Sequence, residues 1–337
     1  MPIGTEFNST FLKPIQTDIG IEYDIVNEKK FTSYLPKLIS YYRGAPPQSF
    51  PKTIFKIVRC KMEPFQYKSY KTINEDEDVS SRFKESDILK LPTNFMLGPR
   101  MISNIAFPNM SIGEKGFASL SGKYLKKKNI LNYSKKFYKI LNKVNQAEGS
   151  TFVYSNFKDI GGIRTFVKYL EYNGYVNYIT HGEGKKRFAI WSGDESHKVK
   201  EEIKYVFNKK DNSNGSKIKI MLGSPSIKEG VSLLRVSQVH ILEPYWNMSR
   251  MLQIIGRAIR FCSHKDMPRN RREVEVYLYL ATYPGEKTTD EYIWSIAKKK
   301  QQLISKFEKL LKENAIDCKL FYHRNVYKNE EPLKCNM

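Results

Sequence analysis

Acidic residues are scarce in this chain. Its 337 residues hold 35 Asp and Glu against 57 Lys and Arg, a formal charge of +22. That deficit favours polyanionic partners, nucleic acid ahead of acidic membrane surfaces, with solubility and an acidic partner protein as alternatives. Cysteine is also rare. Cys60, Cys262, Cys318 and Cys335 lie far apart and form no C-x-x-C. A disulfide framework is therefore not expected, and a reducing, intracellular compartment fits better. Cys262 and His264 are close but lack a second ligand pair, which argues against zinc. No run of 18 apolar residues occurs, so no membrane-spanning helix is expected. The opening Met-Pro-Ile-Gly-Thr-Glu-Phe does not read as a secretion signal. No internal repeat is visible, and no low-complexity tract beyond short lysine clusters.

What is present is enough apolar content, 40%, for one large domain or two modest ones. The first 45 residues are mixed, with a helical stretch around Phe31 to Tyr42. Thr53 to Lys61 alternates like a strand, and Phe65 to Ile73 reads as a short helix. Asn74 to Lys90 reads as a charged loop, and residues 91–122 show no clear element. A basic helix covers Ser134 to Asn145. From there strands at Thr151–Tyr154, Arg187–Trp191, Lys217–Gly223, Val239–Leu242 and Val274–Ala281 alternate with helices. One helix runs from Gly162 to Asn173, with Gly174 as its cap. Another runs from Glu195 to Phe207. A long basic one starts at Thr288 or Thr289 and ends near Ala315. The alternation predicts an α/β fold, a parallel sheet with helices on both faces, binding ligands beyond the carboxyl ends of its strands.

The most informative stretch is Gln253-Ile-Ile-Gly-Arg-Ala-Ile-Arg260. On a helix at about 100° per residue, Gln253, Gly256, Arg257 and Arg260 share one face. Met251, Ile254, Ile255, Ala258 and Ile259 share the other, which reads as core. Two guanidiniums one turn apart suit a polyphosphate, and Gly256 leaves room for it to approach. The loop Gly223-Ser-Pro-Ser-Ile-Lys-Glu-Gly-Val-Ser232 follows a strand. Its small residues and Lys228 suit a sugar-phosphate chain. Ser155 and Asn156 end a strand. Gly161 and Gly162 open a helix whose free N–H groups form an anion site. In Pro244-Tyr-Trp-Asn247, Asn247 caps the next helix. Trp246 is read as a packing anchor or as a platform for a base.

Together these strings resemble motifs IV, V and VI of superfamily 2 helicases, especially those of large cytoplasmic DNA viruses such as the poxvirus nucleoside triphosphatase I and early transcription factor types. Tyr41-Tyr-Arg-Gly-Ala-Pro46 and Ala315-Ile-Asp-Cys318 add to the likeness. The resemblance implies a second RecA-like domain that reaches across a cleft to ATP and Mg²⁺ held mainly by a first. Arg260 would then be the finger at the γ-phosphate, with Arg257 beside it and Gln253 positioning water or phosphate. Gly256, Gly230, Ser232 and Glu229 would line the nucleotide. Ser155, Asn156, Gly162, Ser224, Lys228 and Trp246 would touch the DNA or RNA strand. The family often carries Asp where Ser232 stands. Expected partners are nucleic acid, the first ATPase lobe and viral transcription proteins, in a host cytoplasm or virion, without a membrane.

The chain has no G-x-x-x-x-G-K-[ST], the loop that cradles phosphates. Gly116-Phe-Ala-Ser-Leu-Ser-Gly122-Lys123-Tyr124 has the wrong spacing and a tyrosine in place of the hydroxyl that binds magnesium. Asp76 and Asp78 lie in an acidic loop rather than at a strand end. The expectation is a carboxyl-terminal half of a motor that does not turn over ATP alone. Its parts would be residues 1–45 as the irregular tail of the first lobe, 46–133 as linker, 134–285 as the second lobe and 286–337 as a helical extension. A nucleic-acid module without an ATP role is the alternative. A further one is an interaction subunit docking through Ile293, Ile296, Leu303, Phe307, Leu310 and Leu311.

Overall fold

In the computed structural model, residues 1–18, 20–76, 85–228, 231–327 and 330–336 are described, the side chain of Lys228 excepted. Strands β3 (Lys52–Lys61), β4 (Ser150–Tyr154), β5 (Val176–Asn177), β6 (Arg187–Trp191), β7 (Ile220–Gly223), β8 (Val236–Ile241) and β9 (Glu273–Thr282) form one sheet. Its order is β3-β9-β8-β4-β7-β6-β5, with every neighbouring pair parallel. Strands β4 and β7 are buried along their whole length, as expected where helices cover both faces. β4 sits where the order reverses: the chain leaves it toward β5 and returns through β6 and β7 before crossing to β8. Ligand crevices of such sheets open at this point, beyond the strands' carboxyl ends.

The helices, in chain order, are α1 (Gly4–Phe11), α2 (Glu28–Ser33), α3 (Pro64–Asp76), α4 (Leu97–Asn104), α5 (Glu114–Ser119), α6 (Lys135–Gln146), α7 (Ile163–Tyr172), α8 (Tyr178–His181), α9 (His197–Phe207), α10 (Met248–Ile255), α11 (Thr289–Glu313) and α12 (Tyr322–Asn325). Phe137, Ile140 and Leu141 of α6 join Phe166 and Tyr169 of α7 on one face of the sheet. Ile203 and Phe207 of α9, Met251 and Ile254 of α10, and Ile293 and Ile296 of α11 cover the other. Among the described residues no helix is long and apolar enough to cross a membrane.

Several expectations need correction. Residues 1–45 are not irregular: β1 (Leu12–Thr17) and β2 (Gly20–Ile25) pair antiparallel. Phe7, Phe11 and Phe31 then pack around Phe307, Leu310 and Leu311 of α11. The Phe31 and Phe307 rings lie 5.1 Å apart, edge to face. The apolar stripe of α11 is thus internal packing rather than a docking face. The helix expected from Phe31 to Tyr42 is only α2, because Pro36 cannot continue it. β3, in the expected linker, pairs with β9 along its whole length. α4 lies where no element was expected; its Gly98 and Pro99 sit in the first turn, where a missing N–H costs nothing. α3 runs on to Asp76 through part of the expected loop, and Asp78 lies outside the described residues. β7 is shorter than expected because the Asn212 Oδ1 atom takes the N–H groups of Lys217 and Ile218, at 2.9 and 3.0 Å.

Cysteine usage is also corrected. Cys318 and Cys335 form a disulfide, while Cys60 and Cys262 are free. The tail folds back on the end of α11, where Asn336 N–H donates to the Glu313 carbonyl at 2.9 Å and Lys334 N–H to its side chain at 3.0 Å. That reversal brings together two cysteines that sequence spacing alone leaves unrelated.

Candidate functional site

Asn247 caps α10 as expected, its Oδ1 accepting from Arg250 N–H at 3.3 Å. Met251, Ile254, Ile255 and Ala258 are buried, while Gln253 is exposed. The helix does not reach Arg260, however. It ends at Ile255, and the N–H groups of Arg257 and Ala258 turn back to Ile254 and Ile255, each at 3.0 Å. The face assigned at a helical repeat therefore breaks after Gly256. A Cβ on Gly256 would stand 3.1 Å from the Leu252 carbonyl oxygen, a tight contact within its own turn.

The segment beyond the turn is anchored to the loop after β7. Leu233 N–H donates to the Arg257 carbonyl at 2.8 Å. The Arg260 guanidinium donates Nη1–H to Ser232 Oγ and Nε–H to the Gly256 carbonyl at 3.2 Å, both neutral oxygens. Ser232 and Arg260, assigned separately to the nucleotide, are thus in direct contact. Arg257 and Arg260 are half-buried. Burial, and then the neighbouring Arg260 charge, lower the pKa of Arg257 from the ordinary arginine value, although a guanidinium stays charged at neutral pH. The assignments of Glu229 and Gly230 lie outside the described residues, as does the Lys228 side chain.

Cys262 and His264 do not form a metal pair. His264 is 3% exposed, and its ring nitrogens meet Ser263 Oγ at 2.9 Å and the Val236 carbonyl at 3.0 Å. Among the described residues no group of three or more His, Cys, Asp or Glu side chains is placed to hold a metal ion.

At the carboxyl ends of β4 and β8 the polar groups converge on a residue that sequence reasoning missed, Glu243. Its carboxylate is fully buried. It accepts from Ser155 Oγ at 2.9 Å, from Asn104 Nδ2 at 2.9 Å and from the Asn156 backbone N–H. Ser155 and the Asn156 backbone are thus committed inward, and Ser155 is not presented to a strand as expected. The Asn156 side chain is half-buried, and its Oδ1 accepts from Tyr154 OH at 3.1 Å. Glu243 left one sequence signal: an acid directly after the strand-like Val239–Leu242 stretch.

Trp246 is core, not a platform for a base. It is 5% exposed, stacked on Tyr245 at 4.0 Å and met by the buried Arg100 guanidinium at 4.9 Å. Ser224 is also buried, sharing a hydrogen bond with Ser226 at 3.2 Å. The anion site expected at the start of α7 is already filled by the chain itself. Ile163 and Arg164 give their N–H groups to the Phe157 and Lys158 carbonyls, both at 2.9 Å. Gly162 is required by close approach, because a Cβ there would lie 1.8 Å from the Phe157 carbonyl oxygen.

A further buried network supports this edge. Lys136 and Asp290, 1% and 0% exposed, pair at 2.6 Å. The Lys136 ammonium also donates to Asn104 Oδ1 at 2.9 Å, and Asn104 Nδ2 reaches Glu243 and the Gly161 carbonyl. Asn104 therefore joins α4, α6 and the loop before α7 to the end of β8.

Residues 133–262 match the family described as Helicase conserved C-terminal domain. A protein of Acanthamoeba polyphaga mimivirus named "Putative ATP-dependent RNA helicase R563" is 49% identical over 336 residues, 99% of this chain and 59% of that protein. A "Termination factor NPH-I homolog" of African swine fever virus (isolate Tick/South Africa/Pretoriuskop Pr4/1996) is 27% identical, covering 87% of this chain and 51% of its own length. The chain thus spans between half and three-fifths of these two relatives. The C-terminal part of the Fun30 ATPase domain overlaps 74% of this chain and 90% of its own at a TM-score of 0.45 and 14% identity. Residues 133–262 thus match the helicase conserved C-terminal domain, and the stretch bearing Arg257 and Arg260 lies within that match.

Proposed function

We propose that this chain is the carboxyl-terminal half of an ATP-driven superfamily 2 helicase or translocase. In this reading it supplies arginine fingers to a nucleotide whose phosphates, with Mg²⁺, are held chiefly by another RecA-like lobe. The observation that carries the reading is the adjacent pair Arg257 and Arg260 on the turn after α10, with Arg260 aligned by neutral oxygens of Ser232 and Gly256. Like charges held side by side gain when a polyphosphate arrives. Mg²⁺, when bound, supplies charge neutralisation on the phosphates. The residues of this chain bind and orient the outer oxygens and help to exclude water.

Gln253, exposed one turn before Arg257, is assigned to the same nucleotide. Contact with the nucleic-acid strand is assigned to the Asn156 side chain and Lys228, while Ser155, Ser224, Gly162 and Trp246 shape the surface from within. Closure of the two lobes would couple hydrolysis to movement along the strand.

The test is reconstitution. This chain alone should bind ATP weakly and show no turnover. Mixed with, or fused to, a lobe carrying the phosphate loop and acidic strand end, it should give hydrolysis stimulated by nucleic acid. Full turnover by the isolated chain, or none by an assembled and folded pair, would remove the two-lobe reading. The formal charge of +22 favours one competing reading, a nucleic-acid module without an ATP role. It requires that nucleotide never changes strand affinity in the assembled pair.

A further inference from the structure

We propose that the groove between β3 and α6 is a second contact for the sugar-phosphate chain of a nucleic acid, on the lateral edge of the sheet and away from the strands' carboxyl ends. It encloses about 590 Å³, and Lys56, Arg59, Lys139 and Lys143 line it with Asn142 and Tyr277. No carboxylate is among the described residues lining it. Lys139, Asn142 and Lys143 fall on one side of α6 by their spacing of three and four. Lys139 Nζ–H donates to the Arg59 carbonyl at 2.6 Å, which ties helix and strand together at the groove floor. Within the described residues, β3 has a strand on only one side, so the groove opens at a free sheet edge.

The mode of binding is set by the aromatic ring. The Lys143 ammonium covers Tyr277 at 4.1 Å and Lys56 approaches it at 5.7 Å. The ring is thereby capped by cations, which favours phosphate contact over base stacking. Lys56 is paired with Glu275 at 2.6 Å. Burial lowers the pKa of Lys143, Glu275 opposes that effect, and the nearby Lys56 and Lys139 charges add to it. An incoming phosphate would relieve this repulsion. The choice of nucleic acid over an acidic peptide rests on the reading above, that the chain engages a nucleic-acid strand.

The test uses the whole chain and a fluorescently labelled single-stranded oligonucleotide, with anisotropy read over a salt series. Lys139→Gln/Lys143→Gln should weaken binding about tenfold and flatten the logarithmic salt slope by roughly 1.5, as expected for two lost phosphate contacts. Lys126→Gln/Lys128→Gln removes the same charge from exposed positions and should change affinity by less than about twofold if phosphate contacts are localised. In the unmodified chain, the oligonucleotide should also protect Lys139 and Lys143 from amine acetylation but leave Lys126 and Lys128 reactive, a measurement that needs no variant to fold. Equal losses in both double variants would replace the groove by diffuse charge. Wild-type affinity in the groove variant would overturn the groove and leave the broader reading standing. Absence of binding by the wild-type chain would overturn both. Groove-dependent binding of polyglutamate, without binding of the oligonucleotide, would assign the groove to an acidic peptide instead.

Discussion

Arg260→Ala in the assembled two-lobe motor should lower ATP turnover by about 10³–10⁵-fold, the range expected for an arginine finger. The loss should fall on kcat, with little change in KM for ATP, because the guanidinium contact strengthens as charge moves to the leaving oxygens. Arg260→Lys should not restore the rate. Arg260 uses Nε and Nη1 on Gly256 and Ser232, which leaves the remaining N–H groups of a planar fork for a phosphate. An ammonium has three N–H donors but lacks the spread of the planar fork, so it does not match both protein oxygens and a phosphate at once. The side chain is half-buried and bonded to neutral partners, so its removal leaves no carboxylate stranded by the loss of these bonds. Denaturation of the variant should therefore stay within about 1–2 kcal/mol of wild type. A variant that folds normally and hydrolyses ATP at the wild-type rate would withdraw the finger assignment.

Lys136→Met should destabilise the chain by about 3–5 kcal/mol, because it strands the Asp290 carboxylate in the core. Both partners are essentially inaccessible. The loss should also loosen Asn104, whose Oδ1 accepts from the same ammonium, and through it the Glu243 cluster at the end of β8. Denaturant unfolding measures the effect. The double variant Lys136→Met/Asp290→Asn should recover more than half of it. A neutral amide no longer needs a counter-charge and can still accept from Ala281 N–H, which donates to Asp290 Oδ2 at 2.7 Å. A loss below about 1 kcal/mol for the single variant would mean that this pair behaves like an exposed one.

The parts of the fold that sequence made legible were those with strong periodicity and unambiguous caps. β6 runs from Arg187 to Trp191 as expected. α6 begins after Ser134, whose hydroxyl caps it, and α11 begins with the box formed by Thr288 and Glu291. The edge strand β3 was legible as a strand but not as part of the sheet, because its partner β9 lies some two hundred residues later and only tertiary pairing reveals it. The amino-terminal segment was missed because its aromatics pack on the distant α11, and the Cys318–Cys335 bridge because the tail reverses onto the end of that helix.

At the site, Arg260 and Ser232 were drawn from separate motifs, and the structure places them in direct contact. The placement of Arg257 and Arg260 on one continuous helical face could not be kept, because the turn at Gly256 arises from backbone bonding rather than from side-chain pattern. Burial was the harder property. Ser155, Ser224 and Trp246 are polar or amphipathic residues after strands, and such residues face a ligand or the interior with similar sequence patterns. Glu243 decides the matter for Ser155 by accepting its hydrogen bond. Lys136 carried no signal at all: nothing in a run such as Ser-Lys-Lys-Phe distinguishes the buried lysine from its half-exposed neighbour, Lys135.

The most direct test of the central claim is the chemical reactivity of the two arginines toward phenylglyoxal, mapped by mass spectrometry. In the isolated chain both Arg257 and Arg260 should react. In the assembled motor with nucleic acid, Mg²⁺, ADP and aluminium fluoride, both should be protected, because their guanidiniums then contact the transition-state mimic of the transferred phosphate. Unchanged reactivity of both residues in a complex that demonstrably holds the nucleotide would contradict the account.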